Sequence, residues 1–197
     1  MISGKRICVF CGSSVGASHD YLAEAKLLGW QMASTGWGLV YGGTSIGLMG
    51  ATADAVLSAG GEVIGVLPDA LQDREIAHRG LTKLHLVASM HERKALMASL
   101  ADAFIALPGG YGTLDEFFEI VTWAQLKIHS KPCVLINTDA YYDFLLQFLE
   151  HAMREEFVQA ANLRLVQVAR DSFEALQLIE QHHNRSLPVQ NPKALKP

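Results

Sequence analysis

No apolar run in this chain approaches the ~20 residues needed to cross a bilayer. Met1-Ile2-Ser3-Gly4-Lys5-Arg6 leads into a strand-like segment and not into a signal peptide. A cytoplasmic protein without a membrane partner is therefore expected. Excess positive charge is also missing: 16 Lys and Arg against 20 Asp and Glu give a net charge of −4. That argues against nucleic acid as a general partner while leaving room for a local basic pocket. Cysteine is scarce, and the three thiols Cys8, Cys11 and Cys133 make no disulfide framework. Cys8-x-x-Cys11 lacks the second pair that would complete a zinc or redox site, and Cys8 lies inside an apolar strand pattern. The eight histidines show no H-E-x-x-H or other ligand spacing, so no metal is expected. Neither G-x-G-x-x-G after the first strand nor G-x-x-x-x-G-K-[ST] occurs, which weakens oxidoreductase and NTPase readings.

What is present is half apolar and 18% charged over 197 residues, enough for one well-buried core and too short for two comfortable domains. One domain is expected over residues 1–185, with a loose tail at 186–197, where three prolines fall among few apolar residues. Strand-like runs recur at 7–10, 39–41, 63–67, 84–87, 103–107, 133–136 and 165–168. Helix-period segments lie at 21–34, 48–58, 90–100, 114–126, 141–156 and 172–181. This alternation predicts an α/β fold, a single-domain Rossmann-like parallel sheet with helices on both faces. Ligands of such sheets bind beyond the carboxyl ends of the strands, where strand order reverses. Three small or glycine-rich loops follow strands here: Cys11-Gly12-Ser13-Ser14, the stretch from Gly42-Gly43 to Gly47-Leu48-Met49-Gly50, and Pro108-Gly109-Gly110-Tyr111-Gly112-Thr113. In a parallel sheet all three open on one edge, which makes Gly12, Ser13 and Gly43 candidate ligand contacts.

The third loop carries the most information. Gly109, Gly110 and Gly112 leave bare backbone N–H groups, and a helix starting near Thr113 adds the positive end of its dipole. Together they suit a phosphate. Glu116 then places a carboxylate beside an anion site, which asks for a chemical reason. Thr113-Leu114-Asp115-Glu116 also fits a capping box, a purely structural explanation. Arg93 and Lys94 stand near another helix start, against the dipole preference. An anionic partner would offset that, and so would a solvated face. Segment 69–80, with Glu75 and His78, reads as a solvated loop in preference to a flap over the pocket.

Met90-x-x-Arg93-Lys94 followed by Pro108-Gly109-Gly110-x-Gly112-Thr113-x-x-Glu116 resembles the LOG ("Lonely guy") cytokinin-activating phosphoribohydrolases, a family formerly labelled lysine decarboxylase. The Gly42-Gly43 and Gly47-Leu48-Met49-Gly50 stretch looks similar too, and the likeness spans about residues 5–181. It implies hydrolysis of the N-glycosidic bond of N6-modified adenosine 5′-monophosphates, or of AMP itself, giving free base and ribose 5-phosphate without metal or organic cofactor. The catalytic positions of the family fall on Arg93 and Glu116. Its substrate-binding positions fall on Gly110, Tyr111, Gly112, Thr113, Leu114 and Asp115, with further contacts at Glu75, Lys94 and Thr122. Such proteins pair as homodimers through helices near the site, to which Trp123 with Phe117 or Phe118 would add apolar surface unless those rings are core. A non-catalytic nucleotide or cofactor carrier is the alternative from the same loops, and Glu116 separates the two because a carrier gains little from a carboxylate beside bound phosphate. A pyridoxal-phosphate decarboxylase would need a Schiff-base lysine, for which Lys94, Lys127 and Lys131 qualify only by residue type.

Overall fold

Seven apolar runs of four to six residues form one sheet in which every observed pairing is parallel: β1 (Arg6–Phe10), β2 (Gly38–Tyr41), β3 (Val63–Pro68), β4 (Lys83–Val87), β5 (Ala103–Ala106), β6 (Cys133–Ile136) and β7 (Val166–Ala169). The structure, a computed structural model, describes residues 4–69 and 77–186. The spatial order is β4-β3-β2-β1-β5-β6-β7. The chain steps outward from β1 to β4, returns to lay β5 against the other side of β1, and steps outward again. Strand order thus reverses between β1 and β5, the position where doubly wound sheets open a crevice for a ligand.

The inner strands are buried on both faces, which is why they read as continuous apolar runs. Successive residues feed opposite layers. Ile7, Val9, Leu39, Ile105 and Val134 meet the helices α1 (His19–Ser34), α2 (Gly47–Ser58) and α7 (Ser172–Ser186). Cys8, Phe10, Val40, Phe104 and Leu135 meet α3 (Met90–Leu100) and α4 (Tyr111–Gln125), with the start of α5 (Asp143–Arg154) beside them. Helices on both faces are what the alternating pattern predicts.

The differences from expectation sit at element ends. β7 begins one residue later than the 165–168 run, and α7 continues to Ser186, past the predicted end at 181. A 3-10 turn at Thr138–Ala140 and a short α6 (Ala160–Leu163) occupy ground the periodicity left unassigned. The important correction is α4. Its N-cap is Gly110, in an extended conformation, and the helix begins at Tyr111, three residues before the predicted 114. Gly112 inside the first turn hides this start, because glycine is a poor helix former. Thr113 is therefore within the helix and caps nothing, and no Thr113–Glu116 capping box exists. A reciprocal cap of this kind is at α3 instead, where Ser89 Oγ accepts from the Glu92 N–H and Glu92 Oε2 accepts from the N–H of Ala88, the residue before the N-cap. Residues 187–197 of the expected tail and Glu75 lie outside the described residues. No helix among the described residues is long and apolar enough to cross a membrane.

Candidate active site

The loops after β1, β2 and β5 lie side by side because those strands are neighbours. They are also bonded together: the Gly12 N–H donates to the Pro108 carbonyl at 3.0 Å, and the Leu48 N–H donates to the Gly12 carbonyl at 3.1 Å. Between them opens a cavity of about 340 Å³ lined by Ser13, Tyr21, Pro108, Gly110 and Tyr141 among others. A larger one of about 620 Å³ lies at the opposite edge, beside Pro132 and Leu165 where β6 and β7 begin, away from the ligand edge of the sheet. The glycines of the third loop do different work. A Cβ at Gly109 would strike Thr113 Oγ1 and the Gly12 nitrogen, so packing requires glycine there. At Gly110 and Gly112 a Cβ would meet no atom within 4 Å, so packing does not.

Arg93 and Glu116 form a buried ion pair on the α3–α4 side of the crevice, Nη1 to Oε1 3.6 Å, with side chains 9% and 11% exposed. The Ser89–Glu92 cap fixes where α3 starts and so delivers Arg93 one turn in. Its Nε donates to the Val66 carbonyl in the second half of β3, 3.1 Å away. Its Nη2 lies over Gly42 at the end of β2, where a Cβ would collide with it. Arg93 is thus held across two strands and is no solvated surface cation, which settles one of the two explanations for its place near a helix start. The 3.6 Å separation is an ionic contact and not a formed hydrogen bond. Burial pushes the Glu116 carboxyl above the ordinary glutamate range, and Arg93 pulls against that shift. A carboxyl raised in this way holds a proton more readily than an ordinary glutamate. Lys94 points to α4 instead, with Nζ 3.1 Å from both Asp115 Oδ2 and Glu119 Oε2. Burial lowers its pKa, but hydrogen bonds to Asp115 and Glu119 outweigh this and hold the ammonium above the ordinary lysine range.

The other predicted residues divide. Gly110, Tyr111 and Gly112 form the start of α4, with Tyr111 95% exposed. Thr113 is buried against Gly109, while Leu114 donates its N–H to the Gly110 carbonyl and packs on the core. Gly43 has φ +83°, a conformation that calls for glycine, and its carbonyl accepts from the His78 N–H at 3.0 Å. Thr122 does not join this group. It is exposed, donates to the Phe118 carbonyl at 2.7 Å, and stands about 16 Å along the helix from Tyr111 by the helical rise. Phe117 is fully buried and belongs to the core, so it offers no surface to a partner. The end of segment 69–80 is also not free in solvent: Ala77 bridges Thr44, and His78 Nε2 lies 2.9 Å from Asp54 Oδ1. Cys8, Cys11 and Cys133 are buried thiols, as strand and near-strand residues, and burial pushes Cys133 up to about 12.

Sequence reasoning missed Tyr141 and Tyr142, whose hydroxyls bond the third loop. The signal was available in principle. They follow β6, the neighbour of β5, and the rule that gathers ligand contacts at carboxyl-terminal strand ends applies to that loop as well.

A family model described as possible lysine decarboxylase matches residues 49–179. Over 168 residues the chain is 50% identical to the cytokinin riboside 5′-monophosphate phosphoribohydrolase of Rhodococcoides fascians, covering 85% of each. Against LOG1 of Arabidopsis thaliana, which bears the same name, it is 46% identical over 190 residues, 96% of this chain and 89% of the relative. The chain belongs to the LOG family. Among solved structures the Moco carrier protein of Chlamydomonas reinhardtii is similar, with TM-score 0.69 and 25% identity over 92% of this chain and 99% of that one. The molybdenum cofactor binding protein of Rippkaea orientalis, at 24% identity and TM-score 0.70 over 92% of this chain and 98% of that one, shares the fold. The LOG motif residues of this chain, from Arg93 to Glu116, thus sit on a scaffold that other proteins also use.

Proposed function

We propose that this protein hydrolyses the N-glycosidic bond of N6-modified adenosine 5′-monophosphates to the free base and ribose 5-phosphate. The observation that carries the reading is the buried Arg93–Glu116 pair, set one to two turns into the helix whose start has no side-chain cap. The 5′-phosphate binds the N–H groups of Gly110, Tyr111 and Gly112 and the positive end of α4. That remote contact orients the ribose over Glu116. As the C1′–N bond breaks, its electron pair leaves with the base and positive charge builds on the ribose. The Glu116 carboxylate stabilises that charge and takes the proton of the water that adds to C1′, and that proton ends on the departing base, which restores the carboxylate. Arg93 keeps Glu116 ionised despite its burial and orients it. The relatives' names support the same substrate class.

Incubation of the purified protein with AMP, the N6-isopentenyl monophosphate and the matching nucleosides tests this. Free base is expected from the monophosphates and far less from the nucleosides, since the phosphate is the handle. Binding without release of base would favour a carrier, the role named for the Chlamydomonas neighbour. A buried carboxylate beside an anion site speaks against that role. A cytoplasmic homodimer completes the proposal, paired through helices near the site. A concentration-independent monomer mass in light scattering would reject the dimer.

A further inference from the structure

Tyr141 lies outside the Met90–Lys94 and Pro108–Glu116 motifs, yet its hydroxyl is built into the loop that the second motif forms. After β6 the chain turns through residues 137–142, where Asp139 and Ala140 have φ of +52° and +56°. Two consecutive non-glycine residues in the left-handed region are costly, and such strain persists only where the surroundings enforce it. Here they do. Ser18 Oγ donates to Asp139 Oδ2 at 2.6 Å, and Asn137 Oδ1 accepts from the Tyr142 N–H at 2.7 Å. The turn sets Tyr141 edge-on to Tyr142, with ring centroids 4.9 Å apart, and edge-on to Tyr21 at 5.6 Å.

The result is a loop sorted by polarity. The Tyr142 hydroxyl donates to the Leu107 carbonyl at 2.7 Å, the Gly12 N–H to the Pro108 carbonyl at 3.0 Å, and the Tyr141 hydroxyl to the Gly109 carbonyl at 2.7 Å. The Gly110 carbonyl accepts the Leu114 N–H at 3.1 Å. Four consecutive carbonyl oxygens therefore each have a protein donor. In a trans peptide the N–H points opposite to the C=O, so the anchored Gly109 carbonyl fixes the direction of the Gly110 N–H.

We infer that Tyr141 is a positioning residue for phosphate recognition: its hydroxyl holds the Gly109–Gly110 peptide with its N–H aimed at a phosphomonoester. This inference rests on the phosphate-binding reading of the loop given above. With glycine on both sides, that peptide flips at little steric cost. A flipped peptide would aim a carbonyl oxygen at the anion, and the Tyr141 hydroxyl opposes the flip. Tyr142 is buried and serves the core as well, so the half-exposed Tyr141 is the residue that separates positioning from stability.

The test is Tyr141→Phe, which keeps the ring and its edge contacts and deletes one hydroxyl. Binding of ribose 5-phosphate and AMP is measured by calorimetry, turnover of AMP and adenosine is measured in parallel, and the thermal midpoint is recorded. The expected result is about tenfold weaker binding of both phosphorylated ligands, the size of one charge-assisted hydrogen bond lost from the site. For AMP the loss appears in KM and not in kcat, while kcat/KM for adenosine and the midpoint stay unchanged. Unchanged ribose 5-phosphate affinity overturns the inference, and so does an equal loss for AMP and adenosine with a lowered midpoint. A wild type that binds ribose 5-phosphate but releases no base removes the proposed hydrolysis and leaves this inference standing on the binding data. A wild type that binds neither ligand removes both.

Discussion

Two helices start on the same face of this sheet, and they finish their ends in opposite ways. At α3 the protein satisfies itself: Ser89 Oγ takes the Glu92 N–H at 3.1 Å, Glu92 Oε2 takes the Ala88 N–H at 2.9 Å, and an acid sits in the first turn. At α4 the N-cap is Gly110, no side-chain cap bond is made among the described residues, and no acid lies in the first turn. Thr113, the one aliphatic hydroxyl there, is buried against Gly109. The first N–H groups of any helix need partners from outside it. Where the chain supplies them, as at α3, the helix is a fixed arm that delivers Arg93. Where it does not, as at α4, the helix start is the place proposed above for the phosphate. The motif residues divide along this line, with Arg93 on the closed helix and Gly110, Gly112 and Glu116 on the open one.

The largest expected effect comes from the open helix. Glu116→Gln should lower kcat by a factor on the order of a hundred or more while AMP still binds, because the amide keeps the shape and loses the charge. Since no capping box involves Glu116, a loss of activity cannot be assigned to a frayed helix. Arg93 keeps its bond to the Val66 carbonyl, so the thermal midpoint should hardly move. Wild-type turnover in a folded variant would remove Glu116 from the chemistry. Gly110→Asp goes further into the comparison by making α4 resemble α3. A Cβ at this position meets open space and the backbone is already extended, so the aspartate fits and caps the helix. Calorimetric unfolding should show a gain of about 1 kcal/mol. The same carboxylate occupies the anion's donors, so KM for the monophosphate should rise about tenfold or more. A gain in stability without a change in KM would mean that phosphate binds elsewhere.

The sequence foretold the open helix and misplaced its start. Strand-length apolar runs such as 103–107 mark inner strands because burial on both faces leaves no other pattern, and parallel pairing then brought Gly12, Gly43 and Gly110 to one edge as expected. What failed was local. Gly112 masks the first turn of α4, so Thr113 and Glu116 fit a capping-box spacing that the helix does not use, while Ser89 and Glu92 make the reciprocal cap of α3. Phe117 and Phe118 are adjacent in sequence, yet only Phe117 is fully core, a distinction set by the direction each ring leaves the helix. Tyr141 was invisible for a different reason. Its role depends on the left-handed turn at Asp139 and Ala140, and neither residue type announces a positive φ as glycine would.

An intermediate effect concerns pH. Burial raises the pKa of Glu116, so the folded protein takes up that proton at a higher pH than the unfolded chain does. The stability from this group is therefore fully present below the ordinary glutamate range and is lost as pH rises through the raised folded value. Under the proposed mechanism activity runs the other way, since that mechanism uses the ionised carboxylate. The acid limb of kcat/KM should lie above the ordinary glutamate pKa, and Glu116→Gln should lose that limb from its residual rate. A wild-type limb at or below the ordinary value would mean that another group controls it.

The smallest effect belongs to the closed helix. Ser89→Ala removes the acceptor of the Glu92 N–H and should cost about 1 kcal/mol in urea unfolding, the usual loss for an N-cap hydroxyl. Activity should stay within about twofold of wild type, because Arg93 lies beyond the frayed first turn by the spacing of the helix. Its backbone N–H still bonds the Ser89 carbonyl at 3.0 Å, and its guanidinium remains on the Val66 carbonyl and over Gly42. The two cap variants then move stability and binding in opposite senses: opening α3 weakens the fold and spares KM, whereas closing α4 strengthens the fold and raises KM. Should Ser89→Ala raise KM as much as Gly110→Asp does, the two helix starts would be one coupled site, and the division of labour between a closed arm and an open cradle would be wrong.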